Sequence, residues 1–114
     1  MRHAKRPGLR GLLLIATALF LTACQSAREY SFEVTNKTGY EGMFLYVSPA
    51  SSNDWGRDHL GDEFLPSGKS WTVDVRGRNP QFDVQLVDVD GDSYTIWDVD
   101  VTTGGLTITF DDLD

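Results

Sequence analysis

The chain has 114 residues, of which 40% are hydrophobic, and its formal net charge at pH 7 is −7. Because a surface with this excess of acid repels phosphate backbones, we expect no nucleic-acid partner. The single cysteine excludes an internal disulfide, so a small domain must be stabilised by its core alone.

The first segment of the chain is typical of an export signal. Four basic residues and no acid occupy the first ten positions, and an apolar run follows at 11–22. A basic start, an apolar core of about 7–15 residues and small residues at the cleavage point describe a secretory signal peptide. A membrane-spanning helix needs about 20 apolar residues, more than this run provides. We therefore predict that residues 1–23 are removed.

The sequence Leu21-Thr22-Ala23-Cys24 follows the apolar run directly. It resembles the lipobox of bacterial lipoproteins, in which a diacylglycerol is attached to the cysteine and a signal peptidase cuts before it. The resemblance implies a covalent diacylglycerol and an N-acyl chain such as palmitate on Cys24, so the membrane is a partner through lipid. Two or three acyl chains anchor far better than one. The alternative is ordinary cleavage that leaves a free thiol.

The residue after the cysteine bears on localisation. Gln25 stands there rather than Asp, and by the sorting rule of enteric-type lipoproteins the resemblance implies the outer membrane, on its periplasmic face, in the bacterial cell envelope. All seventeen acids but only six of the ten bases lie from Cys24 onward, which makes the net charge of that part about −11. Anionic lipid repels such a surface, so the hold on a membrane must be covalent or apolar.

The remaining chain is predicted to be all-β. Residues 24–29 form a lipidated tether, residues 30–110 a single domain, and residues 111–114 a solvated acidic tail. Within the domain apolar and polar residues alternate without a helical period. Five to seven short antiparallel strands with regular turns indicate a small β-sandwich or open barrel.

The clearest hairpin runs from Phe82 to Val101, with Asp90-Gly91 as a favoured two-residue turn. Centring the hairpin there also sets Asp83 opposite Asp98, a repulsive pair of like charges. The pairs that this register places on one face are Leu86 with Thr95, Val84 with Trp97, and Phe82 with Val99.

Three acids of this hairpin, Asp88, Asp90 and Asp92, stand at alternate positions. Calcium takes six to eight oxygen ligands, so alternate acids in a tight turn could converge on one Ca²⁺. The spacing is not that of an EF-hand, because the glycine comes fourth instead of sixth. The other interpretation is a solvated acidic tip that prevents edge-to-edge aggregation, and it leaves the protein without a cofactor.

The segment 48–63 is the longest irregular stretch and carries the candidate partner surface, Trp55, Asp58 and His59. Trp55 is either an aromatic plug for the sandwich or an exposed contact. No nucleophile-elbow pattern, phosphate-binding glycine loop or Cys/His metal spacing occurs. We therefore expect a protein that is not an enzyme, with a small periplasmic hydrolase built on His59 or on carboxylates as an alternative.

Four stretches, EVTNKTGY, LYVSPASSNDWGRDHLG, LPSGKSWTVDV and VDGDSYTIWDVDV, resemble a group of small exported proteobacterial β-domains. The resemblance covers nearly all of the part after Cys24 and implies no catalytic residue. The sequence therefore predicts a lipid-anchored cell-envelope protein that acts as a binding or structural module for an envelope protein or a glycan. A calcium-dependent binding module is the alternative.

Overall fold

The structure, a computed structural model, describes residues 26–114. The predicted signal peptide and the predicted lipid site, Cys24, lie outside the described residues. Within them no helix is long and apolar enough to cross a membrane. The elements are β1 (Arg28–Lys37), β2 (Gly42–Pro49), β3 (Ser70–Gly77), β4 (Gln81–Asp88), β5 (Ser93–Asp100), β6 (Leu106–Thr109) and a 3-10 helix (Phe110–Asp112).

The described strands form two three-stranded sheets. Sheet A has the order β3-β1-β6 and sheet B the order β2-β4-β5. Their pairings are antiparallel except that of β1 with β6, which is parallel. The chain crosses from sheet B to sheet A between β5 and β6. The two sheets enclose the core and do not close into a barrel, which confirms the predicted small all-β sandwich.

The core lies between the sheets and follows the predicted alternation. Phe32 and Val34 of β1 are buried as expected, while their neighbours Ser31 and Glu33 are exposed. Full burial of each large aliphatic side chain contributes about 1.5–3 kcal/mol. The side chains with no measurable exposure at this interface are Val34, Leu45, Phe82, Val84, Leu86, Tyr94 and Ile108.

Asn36 organises the turn that joins β1 to β2. Its side chain is fully buried, and its amide nitrogen donates to the carbonyls of Tyr40 and Leu65, each at 2.8 Å. Its carbonyl oxygen accepts from the backbone N–H of Thr38 at 2.9 Å and from the hydroxyl of the same residue at 2.8 Å. Since every polar group of the buried amide has a partner, Asn36 fixes the turn and the segment that precedes β3.

The predicted register of the β4–β5 hairpin is wrong by one residue near the turn. Val87 pairs with Ser93, Leu86 with Tyr94, and Val84 with Ile96. The turn is longer than two residues because the Asp88 carboxylate accepts two backbone N–H groups within it. Tyr94 therefore faces the core, whereas Trp97 lies on the outer face and is 49% exposed.

A β-bulge restores the predicted pair Phe82–Val99 at the far end of this hairpin. Asp98 takes a positive φ of 56° there, and its backbone N–H donates to the buried Asp83 carboxylate at 2.9 Å. The expected repulsion between these two aspartates is thus replaced by a hydrogen bond to the main chain.

Residues 111–114, predicted to be a solvated acidic tail, are mostly exposed and also make specific contacts with β5. Leu113 forms a bridge with Tyr94, and the backbone N–H of Asp114 donates to the carbonyl of Ser93 at 2.9 Å. The Asp114 carboxylate accepts from the hydroxyls of Ser93 and Thr95. These contacts cover part of the outer edge of β5.

Candidate functional site

A cleft of about 790 Å³ opens on the side of the sandwich where the edge strands β2 and β3 face each other. Its walls come from the first half of β1, the last residues of β2 and β3, and the segment that follows β2. The apolar lining residues are Tyr30, Val47, Pro49, Trp55, Val75 and Phe82, and the ionisable ones are Glu29, Asp54, Arg57, His59, Asp74 and Arg76.

The β2–β3 loop, residues 50–69, forms one wall of the cleft. Its sequence is polar and irregular, yet main-chain hydrogen bonds hold it to β2. The backbone N–H of His59 donates to the carbonyl of Leu45 at 2.7 Å, and Leu65 exchanges both main-chain hydrogen bonds with Gly42 at 2.8 and 2.9 Å. The loop thereby covers the outer edge of sheet B.

Asp58 is the side chain that ties this loop to the strand. One of its carboxylate oxygens accepts from the N–H of Leu45 at 2.9 Å and from the N–H of Leu60 at 3.0 Å. A charged acceptor makes both hydrogen bonds stronger than neutral ones. Asp58 therefore positions the wall of the cleft and does not line it.

Trp55 is buried, with 4% of its surface exposed. Of the two interpretations of this residue, the exposed contact is therefore wrong. Its ring centroid lies 5.7 Å from that of Trp97 and 6.5 Å from that of Tyr46. The latter two residues belong to the outer face of sheet B, so the loop folds over that face rather than over the end of the sandwich. Trp55 also lines the cleft.

His59 is partly buried at the edge of the cleft. Desolvation, followed by the positive charge of Arg57, lowers its pKa from the usual 6.5, while a hydrogen bond with the Val47 backbone and the charges of Asp58 and Asp74 oppose the shift. The imidazole is therefore mainly neutral at pH 7 and contributes polarity to the cleft without net charge.

Of the three residues that the sequence singles out as a partner surface, Trp55 and His59 line the cleft and Asp58 does not. The partner surface itself stays a prediction. The sequence prediction did not include the residues of sheet A that line the cleft, Glu29, Asp74 and Arg76. Arg76 and Glu29 form an exposed ion pair at 2.8 Å across the β1–β3 register. No sequence signal distinguishes these residues from other polar positions on an outer strand face.

The acidic hairpin has a different arrangement from the predicted calcium site. One oxygen of the buried Asp88 accepts the N–H groups of Asp90 and Asp92 at 2.9 and 3.0 Å, and the other accepts the Tyr94 hydroxyl at 2.8 Å. Asp90 and Asp92 are exposed. Among residues 26–114 no three His, Cys, Asp or Glu side chains are grouped as a metal site would require. Calcium binding stays a prediction.

The fold and the cleft together define an open-sided β-sandwich with a mixed apolar and charged site at one edge. No family model matches the chain. No curated protein and no solved structure matches it either.

Proposed function

We propose that the protein is a lipid-anchored binding module of the bacterial cell envelope and that it holds its ligand in the cleft between β2 and β3. The observation that carries the proposal is the cleft itself, with apolar walls and a few charged groups at its edge. Ligand sites are commonly concavities of about 300–1,000 Å³ with this composition. The ligand is an envelope glycan or a segment of an envelope protein.

Arg57 is the side chain best placed to orient such a ligand. It is exposed, it lies in the loop that Asp58 fixes, and it shares the cleft with the neutral His59. Its guanidinium offers five N–H donors in a planar fork, which suits carboxylate or hydroxyl groups. Asp54 and Asp74 supply acceptors for the donors of the same ligand.

The proposed anchor at Cys24 is supported by the lipobox and by the apolar run before it. Arg28 lies four positions after Cys24, and an extended chain spans at most ~3.3–3.6 Å per residue, so this tether reaches about 14 Å. Because Glu29 lines the cleft, an anchored molecule holds its binding site close to the membrane surface. We place it on the periplasmic face of the outer membrane.

Binding is tested by titrating an N-acetylglucosamine tetrasaccharide, and separately an unstructured peptide mixture, against the full chain in detergent. Tryptophan fluorescence reports occupancy, because Trp55 lines the cleft. We expect Arg57→Ala to weaken binding about tenfold, as loss of a charged hydrogen bond does. Arg78→Ala, at an exposed arginine outside the cleft, should bind like the parent. Equal affinity of both variants would place the ligand elsewhere.

The anchor is tested by feeding cells an alkyne analogue of palmitate. We expect the parent chain to carry the label and to sediment with the membranes, and Cys24→Ser to lose both properties, since the sulfur that accepts the diacylglycerol is gone. Label incorporation that is the same in the variant would contradict the lipid anchor.

A further inference from the structure

A second groove, of about 450 Å³, runs along β1 on the side that faces away from β3. One wall consists of five consecutive residues of β1, Glu29 to Glu33, and the other of Val101, Thr102, Gly104 and Gly105. The groove exists because β6 has only four residues and pairs only with Val34–Lys37. The first half of β1 is thus an edge of sheet A on this side.

The hydrogen-bonding direction of β1 follows from contacts on both of its sides. The backbone N–H of Asn36 donates to Lys69, on the β3 side. The main-chain N–H and C=O groups of successive residues in a strand point alternately to its two sides. Those of Glu29, Ser31 and Glu33 therefore point away from β3. The position of the Glu33 carbonyl oxygen is consistent with this direction. It lies next to Gly105, on the β6 side, where a Cβ added to the glycine would be 3.1 Å from it.

Two of these residues have no strand beside them. No strand of the described part of the chain pairs with Glu29 or Ser31 on the β6 side. Their N–H and C=O groups therefore face the groove and present two donors and two acceptors in strand geometry. This is the arrangement to which an extended peptide adds as a further strand.

The side chains around the groove indicate what kind of strand fits. Phe32 and Val101 are buried apolar residues of its lining, whereas Glu29 and Glu33 are exposed at its outer side. In a strand docked here, every second side chain would face Phe32 and Val101 and should be apolar. The side chains between them would lie beside Glu29 and Glu33. Opposite charges on neighbouring strands stabilise the pairing, and the acidic chain attracts cationic segments over a longer range.

We propose that this groove binds an extended polypeptide segment of alternating basic and apolar residues, added to sheet A beside residues 29–33 of β1. A second copy of the chain is a poor occupant. An antiparallel pairing of two β1 edges centred on Ser31 would set Glu29 opposite Glu33 of the copy, and like charges directly opposite destabilise a pair. The groove shares Glu29, Tyr30 and Ser31 with the β2–β3 cleft, but Phe32, Glu33 and the wall after β5 belong to the groove alone. The inference concerns the main-chain edge of β1 and does not depend on the function proposed for the cleft.

The test uses the full chain in detergent and a labelled peptide, Lys-Val-Lys-Val-Lys-Val-Lys with blocked ends. A peptide of the same composition in blocks, four lysines followed by three valines, is the control for plain charge attraction. We expect the alternating peptide to bind at least about tenfold more tightly. Only this peptide can place its valines against the apolar lining of the groove and its lysines beside the glutamates at the same time. Equal binding of the two peptides would overturn the proposal.

Variants then locate the bound strand. Ser31→Pro removes an N–H that faces the groove and adds a ring there, without removing a bond to β3, so binding should fall about tenfold or more. Thr72→Pro is the matched control, because the β1–β3 register directs the main chain of Thr72 to the outer edge of β3. Wild-type affinity in Ser31→Pro, or equal losses in both folded variants, would overturn the proposal.

A charge reversal keeps the inference falsifiable if the proline variants fail to fold. Glu33 is exposed and faces Thr72 across the strands, so Glu33→Lys should leave the fold intact. It should weaken binding of the lysine peptide severalfold and strengthen binding of the matching glutamate peptide, Glu-Val-Glu-Val-Glu-Val-Glu. Unchanged preference for the lysine peptide would contradict the assignment of this groove.

Discussion

The β2–β3 loop and the β4–β5 turn are both acidic, polar segments organised by one aspartate, yet only the loop forms a cleft. Asp88 closes its turn locally, with acceptor contacts to residues two, four and six positions away. Asp58 instead reaches Leu45, thirteen residues away, and fixes the loop against β2. The long-range hydrogen bond of Asp58 holds the loop and leaves the residues next to it exposed to the cleft. The local hydrogen bonds of Asp88 involve the whole segment in forming the turn.

The difference also explains why acids in the two segments have different surroundings. Asp88 is 1% exposed and both of its oxygens accept hydrogen bonds. Asp58 is only partly buried, and its neighbours Arg57 and His59 face the cleft. The sequence shows an acid in a polar loop in each case, and the hydrogen-bond partners decide whether the segment is structural or offers a site.

The largest effect is expected from Asp88→Ala. This change removes the acceptor of two backbone N–H groups and of the buried Tyr94 hydroxyl, so we expect the free energy of unfolding to fall by about 3 kcal/mol. Urea denaturation measures it. Asp90→Ala, at an exposed position of the same turn, is the control and should stay within about 0.5 kcal/mol. A loss as small as the control's would show that the turn does not need the carboxylate.

Asp58→Ala should cost less, about 1.5–2 kcal/mol, because two N–H groups lose a charged acceptor that is only partly buried. Its distinguishing consequence is local: limited proteolysis within residues 50–64 should accelerate as the loop leaves β2. Asp62→Ala, exposed in the same loop, serves for comparison. If both variants were cleaved at the parent rate, the tie to Leu45 would not be what holds the loop.

A smaller effect is expected from the pH dependence of His59. Because burial lowers its pKa in the folded state below 6.5, the unfolded chain binds more protons between the two values. The free energy of unfolding should therefore rise with pH through that window and lose this contribution below the folded pKa. His59→Gln should flatten the slope just below pH 6.5, the pKa of an unperturbed histidine. A slope that persists in full would assign it to other groups.

The smallest effect is expected from calcium. A site that uses Asp88 must displace three hydrogen bonds, so we expect Ca²⁺ in place of a chelator to leave the melting temperature unchanged. A ligand at a hundred times its dissociation constant would add about 2.7 kcal/mol. A clear rise that Asp90→Ala abolishes would instead support the calcium-dependent module.

Local patterns predicted the strands and the β4–β5 pairing well, but they missed the register of that hairpin by one residue near its turn. Alternation along β1 identifies Phe32 and Val34 as inward residues, because a strand with one buried face must alternate. The same rule failed in the β4–β5 hairpin, where Asp88 lengthens the turn and thereby exchanges Thr95 for Tyr94 on the inner face. A side-chain hydrogen bond to the main chain changes a register without changing the apolar pattern that predicts it.

The sequence by itself determined the all-β class, the turn at Asn36 and the inward face of β1, since each depends on residues close together in the chain. The tertiary structure decided the β2–β3 cleft, the burial of Trp55 and the open edge of β1. Those features arise where strands far apart in sequence end at different lengths, as β6 does beside β1. Strand ends and loop ties depend on long-range contacts, and no local periodicity encodes them.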